Sequence, residues 1–282
     1  MKRKQVISTI LMCTLAIGVI SWFYAPEKTR SEGHIRNATV FVHGYKGTEN
    51  SFGNMLSRFE HTYGWGQTSL MYRVSAAGKL DLNVYRRNSG DITEPLFVQA
   101  VFENNRAGFQ DTSAGLAKLL AHMKETFQIN KVNLVGHSMG GLVSMDFIES
   151  YENGKVYPAV DKLITIGSPF DGIYNDGYFH IHHDAGAEDL KPDSYALKRL
   201  QLNKDVIPDQ LDVLSIGSTG DPVAVPESVG TIQDIVDPAQ LTYKMIDDDT
   251  LGHSALHEDA RVDKMIYSFL NPMNKIGRTT KD

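Results

Sequence analysis

The chain is 282 residues long, enough for one large domain rather than two. Its 41% hydrophobic and 22% charged residues give an ordinary globular composition with a sizeable core. Of its 28 Lys and Arg residues, three fall in the first 25 positions, where no acidic residue stands, so the rest of the chain is more acidic than the net charge of −6; that argues against nucleic acid and anionic membrane surfaces as main partners.

Cys13 is the only cysteine and lies in the leader. The body therefore has no disulfide, no cysteine-based zinc or redox site and no cysteine nucleophile. Lys2, Arg3 and Lys4 precede an uncharged run from Gln5 to Pro26. That run is close to the ~20 residues of a bilayer-spanning helix and longer than the ~7–15 apolar residues of a signal peptide. Cleavage after Ala25 would put Phe23 where a small residue is wanted. Residues 1–26 are expected to be an uncleaved signal anchor, with a cleaved signal peptide as the alternative. The basic flank predicts an exported body. Residues 27–37 read as a linker, 38–272 as the folded domain and 273–282 as a polar tail.

Along the body, Thr39–Val42 reads as a buried strand ending at His43-Gly44, and a helix is predicted around Ser51–Glu60. Leu70, Tyr72 and Val74, then Leu80, Leu82 and Val84, alternate with polar residues on either side of Ala76-Ala77-Gly78, which predicts a hairpin. Leu96–Phe102 is a further strand. Asp111 is expected to cap a helix with an apolar stripe of Leu116, Leu119, Leu120, Met123 and Phe127. Val132–Val135, Leu163–Ile166, Val213–Ile216 and Leu241–Ile246 follow as strands, with helices at Leu142–Tyr151 and around Val262–Leu270. Strands alternating with helices predict a mostly parallel sheet covered on both faces. Residues 171–209 break the rhythm.

The chemistry centres on Gly136-His137-Ser138-Met139-Gly140-Gly141. A GxSxG string occurs by chance, but this one follows a strand and opens a helix, the setting of a nucleophile elbow. Small residues on either side allow the sharp turn that lifts the Ser138 hydroxyl above the sheet. A serine nucleophile needs a base and a group to orient that base, in the chain order Ser, Asp or Glu, His for this arrangement. Asp221, at the end of Gly217-Ser218-Thr219-Gly220, is the candidate acid, with Asp247, Asp248 and Asp249 as alternatives. His253 is the candidate base and His257 its competitor. Two backbone N–H groups should form the oxyanion hole, one from Met139 and one from Tyr45 in the loop His43-Gly44-Tyr45-Lys46-Gly47.

Phe41-Val42-His43-Gly44-Tyr45, Gly136-His137-Ser138-Met139-Gly140-Gly141, Gly167-Ser168-Pro169-Phe170, Gly220-Asp221 and Gly252-His253-Ser254 together resemble bacterial lipase-like α/β-hydrolases. The resemblance is greatest to the DUF915 group of exported cell-surface hydrolases from Gram-positive bacteria, over roughly residues 38–271. It implies the α/β-hydrolase fold, a Ser138–Asp221–His253 triad, an oxyanion hole from Tyr45 and Met139, and a lid at about 171–209. The run Pro222-Val223-Ala224-Val225-Pro226 departs from the Gly-Val-Val-Pro pattern of relatives.

Tyr45, His137, Phe170 and Tyr174 are the candidates for substrate contact. In the lid, Phe170, Tyr174, Tyr178 and Phe179 could line an acyl pocket or simply pack the lid down. His180 and His182 would share one face of a strand, but no ligand set with zinc spacing accompanies them, so no metal or other cofactor is expected. The expected activity is hydrolysis of carboxylic esters, small-molecule or lipid, by a monomer held to the membrane through its N-terminal segment. Acyl transfer by the same residues, and a non-catalytic surface binding protein on the same scaffold, are the alternatives.

Overall fold

Among the described residues, eight strands make one sheet: β1 (Arg36–Val42), β2 (Gln67–Val74), β3 (Leu80–Val84), β4 (Leu96–Phe102), β5 (Ile129–His137), β6 (Ala159–Ile166), β7 (Asp212–Ser218) and β8 (Leu241–Ile246). Their order is β3-β2-β4-β1-β5-β6-β7-β8. Only the β2–β3 hairpin is antiparallel, with Leu70 opposite Val84 and Val74 opposite Leu80. The computed structural model describes residues 36–84, 95–151 and 155–271. The chain divides into two units, Met1–His34 and Ile35–Asp282. The expected signal anchor, most of the linker and the polar tail lie outside the described residues. Among those described, no helix is long and apolar enough to cross a membrane.

The helices are α1 (Gly53–Ser57), α2 (Phe109–Phe127), α3 (Met139–Tyr151), α4 (Asp176–Phe179), α5 (Ala185–Asp189), α6 (Tyr195–Leu202), α7 (Pro226–Gly230) and α8 (Ala260–Leu270). Period-two side-chain alternation splits the strands between two cores. Val40 and Val42 of β1, with Val132 and Leu134 of β5, join the α2 and α3 side. Phe41, Val135, Ile164 and Leu214 face the α1 and α8 side. There Phe41 meets Phe52, Phe59 and Phe97 edge-on at 5.3, 6.2 and 5.6 Å between ring centroids. The helix expected over Ser51–Glu60 is broken into a 3-10 turn at Glu49–Ser51, α1, and a π turn at Arg58–Thr62.

The start of α2 differs from expectation. Gly108 is its N-cap and makes no side-chain cap bond, while Asp111 sits within the first turn. The capping acceptor is remote: the Phe109 N–H donates to Asp189 Oδ2 of α5 at 2.7 Å. Between β6 and β7, α6 is fastened to the body by a buried carboxylate. Asp146 of α3, 1% exposed, accepts from Ser113 Oγ of α2 and from Arg199 Nη2 of α6.

Glu149, one turn further along α3, has both carboxyl oxygens buried without a well-aligned hydrogen bond. Burial pushes its carboxyl up to about 8, against a smaller opposing pull from the Asn203 amide. A raised folded-state pKa means the protein is fully stable with respect to this group below its unfolded value of about 4.3, and loses that contribution as pH rises through 8. Glu149→Gln should therefore match the parent's melting temperature near pH 4.5 and exceed it at pH 8.5, measured by thermal denaturation across that range.

Candidate active site

The chain leaves β1 toward β2 on one side of the sheet and leaves β5 toward β6 on the other. Because β1 and β5 are neighbours, the loops at their carboxyl ends diverge and open a crevice, the usual ligand position in such sheets. Ser138 stands at that point. Its φ is +55°, a left-handed conformation that costs a non-glycine residue about 1–3 kcal/mol. Its N–H donates to the Ile166 carbonyl at 2.8 Å, and its own carbonyl accepts from the Gly141 N–H at 3.0 Å. A Cβ on Gly140 would lie 2.1 Å from the Val42 carbonyl oxygen, so only glycine lets α3 start this close to the end of β1.

Asp221 follows β7 and is 2% exposed. Its Oδ1 accepts from the Val223 and Ala224 N–H groups at 2.8 and 2.9 Å. Its Oδ2 lies 2.7 Å from His253 Nδ1. A carboxylate only accepts, so Nδ1 carries the proton and Nε2 is left as an acceptor. The Pro222–Pro226 run thus supplies the amides that aim the acid. The alternative acids lie elsewhere: Asp247 and Asp249 are exposed, and Asp248 accepts from Thr250 and pairs with Arg261 at 2.7 Å.

His257 is not brought to an acid of the crevice. It packs edge-on against His137 at 4.6 Å, and its Nδ1 lies 3.3 Å from the exposed Glu258. His137 lines the crevice, yet its Nε2 is bound from behind, 3.1 Å from the His253 carbonyl, and its ring lies 4.8 Å from that of His253. It buttresses the histidine loop as well as facing the cavity, a role that spacing along the chain does not reveal. Arg58 does the same from the π turn. It pairs with Asp263 through Nε at 2.6 Å and Nη2 at 3.0 Å, with Glu258 at 2.9 Å, and donates to the His257 carbonyl at 2.9 Å.

The β1 loop lies against the elbow: a Cβ on Gly44 would sit 2.8 Å from Ser138 Cβ and 3.4 Å from the Met139 nitrogen. Met139 is the first residue of α3, so its N–H is one of the four a helix leaves without an internal acceptor. In the β1 loop, the Lys46 and Gly47 amides are taken by the Asn105 and Gly44 carbonyls at 2.7 and 2.9 Å. His43 locks the loop at its root, with Nδ1 2.9 Å from the Gly44 carbonyl and Nε2 accepting from the Phe102 N–H at 3.0 Å. The Tyr45 hydroxyl donates to Asp184 Oδ2 at 2.6 Å, and Arg106 pairs with the same oxygen at 2.9 Å. Asp184 also caps α5, so this loop and the β6–β7 segment share one anchor.

A cavity of about 250 Å³ opens at this point, with Ser138, His253, His137, Tyr45 and Tyr178 in its wall. Two clefts of about 280 Å³ elsewhere contain no histidine. Two expected substrate contacts are absent from the wall. Phe170 is fully buried in the main core, and Tyr174 is 44% exposed with its hydroxyl on Asp171 at 2.5 Å. His180 and His182 do not share a strand face, because the chain there forms the turn after α4. The His182 ring packs against Tyr178 and Tyr45 instead. Among the described residues, no group of three or more His, Cys, Asp or Glu side chains is placed to hold a metal ion.

Burial lowers the pKa of His43, His137 and His257, most strongly for His137, where the neighbouring His253 and His257 add to the effect. These lowered values lie beneath the unfolded value of about 6.5. The neutral rings therefore stabilise fully above it, and that contribution is lost as pH falls through the lowered values. In a Glu149→Gln background, which removes the carboxyl that burial raises furthest, the urea midpoint should decline from pH 6.5 to pH 5. A midpoint that held steady would contradict the neutral cluster.

Residues 26–272 match the family model described as an alpha/beta hydrolase of unknown function, DUF915. No curated protein sequence matches the chain. Among solved structures, a gene product of Listeria innocua is 21% identical at a TM-score of 0.67, over 88% of this chain and 96% of the other. A candidate cell-surface hydrolase from Lactobacillus plantarum is 22% identical at 0.62, over 89% and 95%. A lipase from Bacillus licheniformis is 16% identical at 0.52, over 86% and 93%. At these identities the likeness speaks to the fold, which is that of the α/β hydrolases. By the match over residues 26–272 the chain belongs to the DUF915 family of alpha/beta hydrolases.

Proposed function

We propose that this hydrolase cleaves carboxylic esters through an acyl-enzyme on Ser138. The observation that carries the reading is the 2.7 Å bond between His253 Nδ1 and Asp221, behind a cavity whose wall holds both His253 and Ser138. With Nδ1 protonated and tied to the carboxylate, His253 Nε2 takes the Ser138 proton as Oγ bonds to the ester carbon. The carbonyl oxygen becomes an oxyanion, for which the Met139 and Tyr45 N–H groups are the donors. When the C–O bond to the alcohol breaks, the proton on Nε2 passes to the leaving oxygen. Water then attacks the acyl carbon and gives a proton to Nε2, which returns it to Ser138 as the acid departs.

The neutral His137 and His257 suit this role, because neither ring sets a second imidazolium against the one that forms beside Asp221. The body works outside the cytoplasm on this reading. The basic residues ahead of the apolar leader support that, as does the structural likeness to a candidate cell-surface hydrolase. The ester is a small molecule or a lipid, and the leader ties the enzyme to the membrane.

A fluorophosphonate probe should label the parent and not Ser138→Ala; equal labelling of the two would sink the assignment. Hydrolysis of p-nitrophenyl butyrate should fall by about 10⁴-fold in His253→Ala and Asp221→Asn. His257→Ala should keep most of its activity, and a loss as deep as that of His253→Ala would mean the base is misassigned.

A further inference from the structure

We infer that Tyr178 closes the acyl end of the Ser138 cavity, so that the enzyme selects esters of short acyl groups. This rests on the ester-hydrolase reading and adds the substrate class. The cavity, about 250 Å³, lies below the range of about 300–1,000 Å³ typical of pockets for drug-sized ligands. Its wall is mostly polar. Lys46, Ser51, Ser254 and the histidines line it, while Val223 and the Tyr178 ring are its apolar side chains apart from Tyr45. A long alkyl chain has no apolar trough to enter, although each buried methylene would otherwise be worth roughly fourfold in binding.

Tyr178 is the lid aromatic at the cavity, and its surroundings hold it there. Its ring lies 4.7 Å from His182 and 5.3 Å from Phe179, both edge-on, and 6.1 Å from Tyr45. Its N–H donates to the Asn175 carbonyl at 3.0 Å, and Asn175 caps the turn of helix that carries it. The other aromatics lie elsewhere, Tyr195 being 83% exposed. Phe170 is in the main core, Tyr174 is bonded to Asp171, and the Phe179 ring lies under the Lys191 ammonium at 5.6 Å. The far side of this plug is tied down through Asp184 to Tyr45 and Arg106. A longer acyl chain must displace the Tyr178 ring against these contacts.

The test is a chain-length series on the full-length protein in detergent, using p-nitrophenyl acetate, butyrate, octanoate and palmitate, with fluorophosphonate labelling run alongside. In the parent, kcat/KM should drop at least tenfold from butyrate to octanoate. Tyr178→Ala should shrink that drop to threefold or less by raising the octanoate rate, while Tyr178→Phe, which keeps the ring, should retain the parent's order of preference. If the parent prefers octanoate or palmitate, or if a labelled protein hydrolyses none of the four, the short-acyl assignment is overturned. A Tyr178→Ala protein that labels normally but keeps the parent's profile removes Tyr178 as the plug. If the parent shows no Ser138-dependent labelling, the failure belongs to the ester-hydrolase reading instead. The parent series stands even if the alanine variant does not fold.

Discussion

The φ of +55° at Ser138 constrains everything around it. A serine adopts this conformation only where the surroundings outweigh a cost of about 1–3 kcal/mol, and here they do so from three directions. β6 accepts the Ser138 amide through Ile166, α3 returns the Gly141 amide to the Ser138 carbonyl, and the end of β1 packs directly on Gly140. The same packing that forces the turn brings the β1 loop to within contact of the serine. Strain, sheet order and the approach of the β1 loop to Ser138 are thus one arrangement seen from different residues.

The electrostatics of the crevice follow from which groups are denied a charge. Three histidines surround the site besides His253, and burial keeps each of them from protonating readily. Asp221 is buried too, and the Val223 and Ala224 amides and His253 occupy its oxygens, so neither oxygen is buried without a partner. The segment that carries His253 is a 3-10 turn, His253–Glu258, with neither α-helix nor strand of its own. It is held instead by His137 beneath it and by Arg58, whose guanidinium spans Glu258, Asp263 and the His257 carbonyl.

Much of this was legible in the sequence, and the part that was not has a common cause. The strands announced themselves because a parallel sheet buried on both faces writes runs such as Thr39–Val42 and Leu96–Phe102 directly into the chain. The glycines around Ser138 and the order of Ser138, Asp221 and His253 narrowed the chemistry to a few residues. What failed to show were interactions between residues far apart in the chain. Asp189 rather than Asp111 meets the start of α2, because a helix end accepts any nearby carboxylate and only the folded chain decides which is near. Phe170 reads like a pocket residue because an aromatic that lines a cavity and one that fills a core have the same sequence signature. Arg58 and Asp263 are 205 positions apart, and no local pattern links them.

The bond from Arg199 to Asp146 reaches beyond stability. Asp146 lies two turns along the helix that begins beside Ser138, and its second oxygen is held by Ser113. Losing Arg199 alone would leave a buried carboxylate with half its partners, a far worse state than losing both charges together. The segment between β6 and β7 therefore cannot diverge as a free cassette. Through an evolutionary lineage its α6 end should change in step with positions 113 and 146, while the stretch around Tyr178, which has no such tie to α3, is open to drift and to the acquisition of new substrates.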